Sequence, residues 1–451
     1  MALITNAVKG TLDTLPKDSY KIQYVEAAMR EIAENYGFYE MRTPVFEHTE
    51  LFQRSVGETT DVVQKEMYTF EDKGGRSITL RPEGTAGAVR AFLENGLFNE
   101  PMPQKIYYLT SCYRYEKPQA GRLREFHQFG VECFGAPNAA ADAEIILLAN
   151  EIFNYLGING LSLEINSIGC PECRKKYQDA LRAYFTEHID ALCDTCKSRL
   201  EKNPMRILDC KSPEDKKIAE GAPKILDYLC DDCREHFESV KKYLNANNID
   251  FTVNPTIVRG LDYYTRTVFE FVSNEIGAQG TVCGGGRYDG LVEEMGGKPT
   301  AACGFGLGIE RLLLLMDAQK TELPERKKCD IFIGSMGEAE NLKACELATD
   351  LRNEGLAAQF DTVGRSLKAQ MKYADKIGAL YTVVLGADEL AGGMAKLKNM
   401  ADGTQTDISL RDFTEEFQSI VIKQAMEGLD GFGIEGIELE DILGGGINGN
   451  N

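Results

Sequence analysis

The segment Arg259-Gly260-Leu261-Asp262-Tyr263-Tyr264-Thr265-Arg266-Thr267-Val268-Phe269-Glu270 constrains the chain more than any other. It gathers two arginines, two tyrosines and an acid around one glycine, then continues as an apolar strand from Thr267 to Val272. A stretch serving only as core would not carry this much charge at its entrance, because unpaired buried charge is costly. Further on comes Cys283-Gly284-Gly285-Gly286-Arg287-Tyr288-Asp289-Gly290. Its glycines would let the backbone approach a ligand closely. A surface hairpin with glycine turns is the alternative for either segment alone, and the neighbouring segments decide between the two.

A chain of 451 residues holds two or three domains and can bury ample core. The 50 Lys and Arg against 70 Asp and Glu give a net charge of -20. That balance argues against indiscriminate nucleic-acid binding while leaving room for a local basic groove. Met1 to Gly10 lacks the apolar core of a signal peptide, and the longest apolar runs, Ile145–Ala149 and Leu312–Met316, are too short to cross a bilayer. Thirteen cysteines without an export signal point to reduced thiols, metal or core packing, and to a cytoplasmic protein.

Along the chain, Ile22, Val25, Met29, Ile32 and Tyr36 recur at helical spacing, so residues 18–36 read as an amphipathic helix ended by Gly37. An extended piece from Phe38 to Thr43 follows, held out of helix by Pro44. Thr79-Leu80-Arg81-Pro82-Glu83-Gly84-Thr85 turns a strand end into a helix at Ala86–Leu93. Glu83 and Thr85 there suit helix capping, or else a carboxylate and hydroxyl awaiting an amine. Ile106–Tyr115 and Phe126–Phe134 read as a long hairpin with a cationic tip, Lys117 to Arg124. Arg114, Glu116, Gln128 and Glu132 sit on its arms, where charge in mid-strand implies a ligand site or a solvated sheet face. Residues 304–315 read as a glycine-rich strand feeding a helix, without GxGxxG and without a phosphate loop. Arg311 falls in the first turn of that helix, where a cation opposes the dipole and is better explained by an anion.

With these residues in place, the chain resembles the bacterial histidyl-tRNA synthetases, a family of class II aminoacyl-tRNA synthetases, over about residues 1–420. Tyr36-Gly37-Phe38 through Pro44 is similar to the first class motif, which builds the family's dimer interface. Tyr113-Arg114-Tyr115-Glu116 to Glu132 is similar to the second, and Gly306-Leu307-Gly308-Ile309-Glu310-Arg311 to the third. Arg259–Tyr264 and Gly285–Gly290 resemble the two segments peculiar to the histidine enzymes.

The resemblance implies an α+β fold: a catalytic domain (1–325) built on a six-stranded antiparallel sheet with a cysteine-rich helical insertion at about 170–245. It also implies an α/β anticodon-binding domain (326–424) and a homodimer. The implied reaction is attack of the histidine carboxylate on the α-phosphate of a bent ATP. Fixed cations and Mg²⁺ would stabilise the charge growing on phosphate oxygens. By match to the family, Arg114 and Arg259 contact the α-phosphate, Arg311 holds the γ-phosphate, and Glu116 also belongs to the ATP site. Glu83, Thr85 and Gln128 would hold the α-amino group of L-histidine, and Glu132 and Tyr264 would grip its imidazole. Tyr263 and Tyr288 would line the same pocket, and Lys117–Arg124 would reach the acceptor end of tRNA(His), whose 3′-terminal hydroxyl takes the histidine.

Beyond Pro324, strands at Asp330–Gly334, Ala357–Phe360 and Leu380–Leu385 alternate with helices at Ala339–Asn353 and Ser366–Ile377, the pattern of a largely parallel α/β sheet. Arg365, Lys368 and Lys372 could share one helix face as an RNA surface or simply a solvated one. Cys170, Cys173, Cys193 and Cys196 form a C-x₂-C-x₁₉-C-x₂-C array with the spacing of a structural zinc site, with Cys210, Cys230 and Cys233 in the same insertion. Cys233 also falls on the apolar stripe of Ile225, Leu229, Phe237, Val240 and Leu244, so some thiols could be core. Residues 425–451 are rich in glycine and acids and read as a flexible tail. Three rivals are weighed: a non-catalytic histidine-sensing paralogue, a class II synthetase for another amino acid, and a zinc-bearing RNA-binding module. The arginine set, the C-terminal domain and the Glu83–Gln128–Glu132 constellation favour the enzyme.

Overall fold

The computed structural model describes residues 4–429 apart from 58, 59, 61, 211, 258, 260, 277–279 and 327, with side chains up to residue 424. The chain divides into two compact units between Pro324 and Glu325.

The first unit is organised by one sheet. Its strands are β1 (Tyr39–Glu40), β2 (Gln104–Tyr113), β3 (Glu125–Phe134), β4 (Ser162–Ser167), β5 (Thr252–Val253), β6 (Thr265–Val272), β7 (Thr281–Arg287) and β8 (Ala302–Gly308). They lie in the order β1-β2-β3-β8-β7-β6-β4-β5. The six long strands pair antiparallel throughout, and the two-residue strands β1 and β5 add parallel edges. The expected six-stranded sheet is present, extended by one short strand at each side.

Period-two alternation gives the sheet two different faces. Phe129, Val131 and Cys133 of β3, Cys303, Phe305 and Leu307 of β8, and Phe269 and Phe271 of β6 enter one core. The helices Ser19–Asn35, Ala139–Tyr155, Asp231–Ala246 and Ile309–Gln319 cover that face with apolar stripes that include Val25, Met29 and Ile32. The intervening residues, Gln128, Gly130 and Glu132 of β3 and Gly304 and Gly306 of β8, point to the other face, where ligand chemistry can sit. The predicted helix over 18–36 is seen as Ser19–Asn35, stopped where Gly37 adopts φ +78°. The extended stretch after it is shorter than expected, because only Tyr39 and Glu40 find a partner strand.

The insertion consists mainly of helices, Pro171–Glu187, Asp194–Lys202, Pro213–Ala219 and Asp231–Ala246. Its apolar residues Tyr177, Leu181 and Phe185 join one core with Tyr108, Tyr263, Tyr264 and Tyr288 beneath the second sheet face.

In the second unit, Ala358–Phe360, Ile331–Ser335 and Tyr381–Leu385 run parallel, and Met394–Asn399 and Gln405–Ser409 continue the sheet antiparallel. Arg365 lies before the helix Leu367–Lys376 and not on its face. Its Nη1 donates to Asp361 Oδ1 at 2.7 Å and its guanidinium rests 4.3 Å from the Tyr373 ring centre, while Lys368 and Lys372 are exposed. The helix Phe413–Leu429 runs into the stretch read as a flexible tail; the rest of that stretch lies outside the described residues.

Candidate active site

A cleft of about 340 Å³ opens on the glycine-bearing face of the first unit. Arg114 from the end of β2, Arg259 from the loop before β6 and Arg311 from the first turn of Ile309–Gln319 all line it. They share it with Glu83, Thr85, Glu116, Gln128, Tyr263 and Tyr264. Sequence-distant cations and five of the seven residues expected to hold the amino acid therefore reach one cavity, while Glu132 and Tyr288 do not line it.

Each arginine is held by the backbone or by an acid. Arg114 Nε donates to Pro82 O at 2.8 Å, and its guanidinium lies 5.3 Å from the Phe126 ring centre. Arg259 is ion-paired with Glu270, whose other oxygen accepts from Thr281 Oγ1 at 2.7 Å. Its guanidinium carbon lies 5.7 Å from the Tyr264 ring centre, and its Nε has no hydrogen-bond partner among the described residues. Burial alone would lower the Arg259 pKa, but Glu270 and Tyr264 together drive it above the ordinary value. Arg311 Nε donates to Gly121 O at 3.1 Å and Nη1 to Thr281 O at 2.6 Å. Burial lowers its pKa, and the neighbouring Arg122 and Arg114 lower it further. Like charges gathered in this way favour an anion between them.

Glu83, which also lines the cleft, accepts the backbone N–H groups of Thr85 (2.7 Å) and Ala86 (2.8 Å), capping the helix Thr85–Glu94. The capping role and the cleft position coexist, since one carboxylate does both. Burial raises its pKa, while those two N–H groups, the Thr85 hydroxyl and Arg114 pull it down. Gln128 Oε1 accepts from Gly84 N at 3.1 Å. Glu132 is 1% exposed and accepts from Thr85 Oγ1 at 2.7 Å, from Tyr108 OH at 2.9 Å and from Tyr288 OH. Burial pushes its pKa up to about 8 against the pull of those hydroxyls, and Glu83 adds to the rise. Tyr288 is likewise 1% exposed, so Glu132 and Tyr288 form a layer directly beneath Thr85. Tyr263 bridges the two layers, with ring centres 4.7 Å from Tyr264 and 5.5 Å from Tyr288.

The glycines now have a steric reason. Gly304 pairs across the strands with Glu132, and a Cβ on it would lie 2.0 Å from Glu132 Oε2. One on Gly306 would lie 2.3 Å from Gln128 Nε2, and one on Gly284 2.5 Å from Arg259 Nη1. The glycine-rich strands leave room for longer side chains of neighbouring elements, which is a different use from a phosphate loop.

Several residues of this neighbourhood escape the sequence reading. Tyr108 donates to Glu132 and fills the space left open by Gly84 and Gly130, where a Cβ would approach it to 2.1 Å and 2.3 Å. Its alternation with apolar neighbours along β2 hides it as an ordinary strand aromatic. Glu270 fixes Arg259, and Glu310 accepts from the His127 backbone N–H and lies 2.7 Å from His127 Nδ1. Only tertiary contact reveals either pairing. Arg287, within the glycine-rich segment, is fully buried and bonded to Asp142, Asp289 and the Ala136 carbonyl, so it pins the sheet to the helix Ala139–Tyr155.

The zinc expectation needs correction. Cys170 and Cys173 gather with Cys230 and Cys233, whereas Cys193 and Cys196 gather with Cys210 and Asp215. The four predicted ligands cannot meet, because the 17-residue helix Pro171–Glu187 intervenes. At about 1.5 Å per residue it carries the chain roughly 25 Å away.

Comparison with known proteins agrees with this architecture. A family model described as histidyl-tRNA synthetase matches residues 10–312. The chain belongs to the histidyl-tRNA synthetase family. A second model, an anticodon binding domain, matches residues 330–420. The histidine--tRNA ligase of Clostridium novyi is 58% identical over 417 residues, covering 92% of this chain and 99% of the relative. The crystal structure of apo S. aureus histidyl-tRNA synthetase superposes with a TM-score of 0.79 at 41% identity, over 92% of this chain and 100% of the other. A Bacillus halodurans structure named as an ATP phosphoribosyltransferase regulatory subunit/histidyl-tRNA synthetase is 24% identical, covers 86% of this chain and 100% of the other, and has a TM-score of 0.61. It shares the fold alone. Among the described residues no helix is long and apolar enough to cross a membrane.

Proposed function

We propose that this chain ligates L-histidine to tRNA(His) through a histidyl-adenylate. The observation that carries the reading is the convergence of Arg114, Arg259 and Arg311 on a cleft that Glu83, Thr85 and Gln128 also line. ATP binds as its Mg²⁺ complex with its phosphates among the three guanidiniums, and Glu116 and Glu310 are the cleft-lining carboxylates available to the ion. The histidine carboxylate attacks the α-phosphorus, the bond to the pyrophosphate breaks, and pyrophosphate leaves. Charge grows on oxygens facing Arg114 and Arg259, fixed donors that need no reorganisation during the step. Arg311 sits where the outer phosphates are held.

Glu83 and Gln128 receive the α-ammonium group, and Glu132 with Tyr264 receives the imidazole. Burial raises the phenol pKa values of Tyr263, Tyr264 and Tyr288, keeping them neutral donors at physiological pH. An apolar isostere in place of histidine would offer no ring nitrogen to Glu132 and Tyr264, so the additional hydrogen bonds that the imidazole makes would be lost, which discriminates against it. In the second step the 3′-terminal hydroxyl of the tRNA attacks the adenylate carbonyl and releases AMP. The hairpin tip Lys117–Arg124 positions the acceptor end, and the second unit takes the anticodon. The working form is a cytoplasmic homodimer, assembled through the surface where Tyr39 of the edge strand β1 and, farther along the chain, Val45 and Phe46 stand exposed.

The test is histidine-dependent exchange of pyrophosphate into ATP. Wild type should catalyse it with histidine and with no other amino acid. Arg259→Ala should lose it by a factor of about 100 or more, and full exchange in a folded Arg259→Ala variant would overturn the assignment.

A further inference from the structure

We propose that the insertion holds two zinc ions, one in a four-thiolate site of Cys170, Cys173, Cys230 and Cys233 and one in a three-thiolate, one-carboxylate site of Cys193, Cys196, Cys210 and Asp215. Within each set the ligand atoms all lie within 4.8 Å of one another. Cys170 and Cys173 sulfurs are 3.5 Å apart, and those of Cys193 and Cys210 are 3.9 Å apart. Zinc–sulfur bonds of about 2.3 Å in a tetrahedron place thiolates roughly 3.8 Å apart. An iron–sulfur cluster spreads its four cysteines over several irons and needs a wider cage.

The local backbone is built for such sites. Cys170, Cys193 and Cys230 each stand at the N-cap of a helix, followed by Pro171, Asp194 and Asp231. The open N–H groups of a helix start favour a thiolate over a thiol. Cys173 Sγ accepts the Cys230 N–H at 3.1 Å, and Cys210 Sγ accepts the Ser212 N–H at 3.5 Å. Gly169, at φ +65°, passes so close that a Cβ there would lie 2.5 Å from Cys173 Cβ.

Asp215 supplies an independent argument. Its side chain is 0% exposed. Its carboxylate accepts from the Cys193 N–H at 3.1 Å and from the Cys210 thiol at 3.1 Å. Among the described residues no Lys or Arg pairs with it. A buried carboxylate without a cation is costly, and a divalent ion at the neighbouring thiolates removes that cost. Disulfides would use neither the fourfold convergence nor the carboxylate.

Binding releases up to four protons at the first site and up to three at the second as thiols become thiolates, with no redox change. The first site ties the two ends of the insertion together, since Cys170 opens it and Cys233 lies in its last helix. The second fastens the part farthest along the chain from both ends. Each substitutes for core that short helices cannot supply.

The full chain, purified in reducing buffer without chelator, should contain two zinc ions by mass spectrometry. X-ray absorption at the zinc edge should show seven sulfurs and one oxygen summed over the two. Asp215→Cys should keep two zinc ions and raise the sulfur count to eight, and Cys230→Asp should keep two and lower it to six. Fewer than two metal ions per wild-type chain, iron in place of zinc, or a sulfur count that Asp215→Cys leaves unchanged would overturn the proposal.

Discussion

Replacing Glu132 by glutamine keeps the shape of the side chain and removes its titrating carboxyl from a layer that is 1% exposed. In the wild type burial holds the carboxyl near pH 8, against an ordinary value of 4.5. A folded-state pKa raised above the unfolded one means that folding retains a proton over that interval. The associated stability is fully present below about pH 4.5 and is lost as pH rises through about 8. At about 1.4 kcal/mol per unit, the wild type should lose roughly 2 kcal/mol between pH 6 and pH 8 from this group alone. For a unit of this size that is about 4 °C in Tm. The glutamine variant lacks this loss, so the wild-type drop between the two pH values should exceed the variant's by about 4 °C. Above about pH 8, where the carboxylate has formed, the same substitution removes a charged partner for the imidazole, worth about 1.5–3 kcal/mol, so KM for histidine in pyrophosphate exchange measured there should rise about 10- to 150-fold. Wild-type KM should also fall as pH approaches 8 and the carboxylate forms, while the variant's stays flat. Equal Tm drops in the two proteins, together with an unchanged KM, would refute both the buried-acid argument and the imidazole role.

Gly304→Ala places a Cβ 2.0 Å from Glu132 Oε2 and 2.2 Å from Val131 O, so strands β3 and β8 must part. A loss of at least about 2 kcal/mol in chemical denaturation is expected, and wild-type stability would contradict the steric account. Glu310→Gln should lower the His127 pKa, which the Glu310 hydrogen bond raises against the effect of burial; a ring-proton NMR titration reads this directly. Stability tied to that raised pKa is present at low pH and lost as pH passes it, so the variant should be less stable than wild type chiefly on the acid side. Arg174 Nη1 donates to the Tyr264 carbonyl at 2.9 Å. Arg174→Met should therefore raise KM for histidine several-fold with a smaller change in kcat, and unchanged kinetics would show that this contact does not position Tyr264.

Much of the fold is legible because it rests on local pattern. The helix Ser19–Asn35, the β2–β3 hairpin and the strand-to-helix step at Gly308 follow from helical or period-two spacing and from glycine or proline stops. The parallel strands at Ile331 and Tyr381 were equally visible, whereas the antiparallel pair that completes the second sheet begins beyond the last strand read from sequence.

Which residues carry unusual chemistry is written in the chain: charge and phenol at the head of a strand, glycines beside them, and an arginine in a helix's first turn are anomalies of composition at a position. Their partners were assigned by folding alone. Arg259 meets Glu270, Glu132 receives Tyr108 and Tyr288, and Cys173 turns to Cys230 and not to Cys193. The physical reason is reach. Spacing along the chain fixes neighbours within a helical turn or a hairpin, whereas a side chain bonds within about 3 Å to whatever the folded sheet brings opposite it.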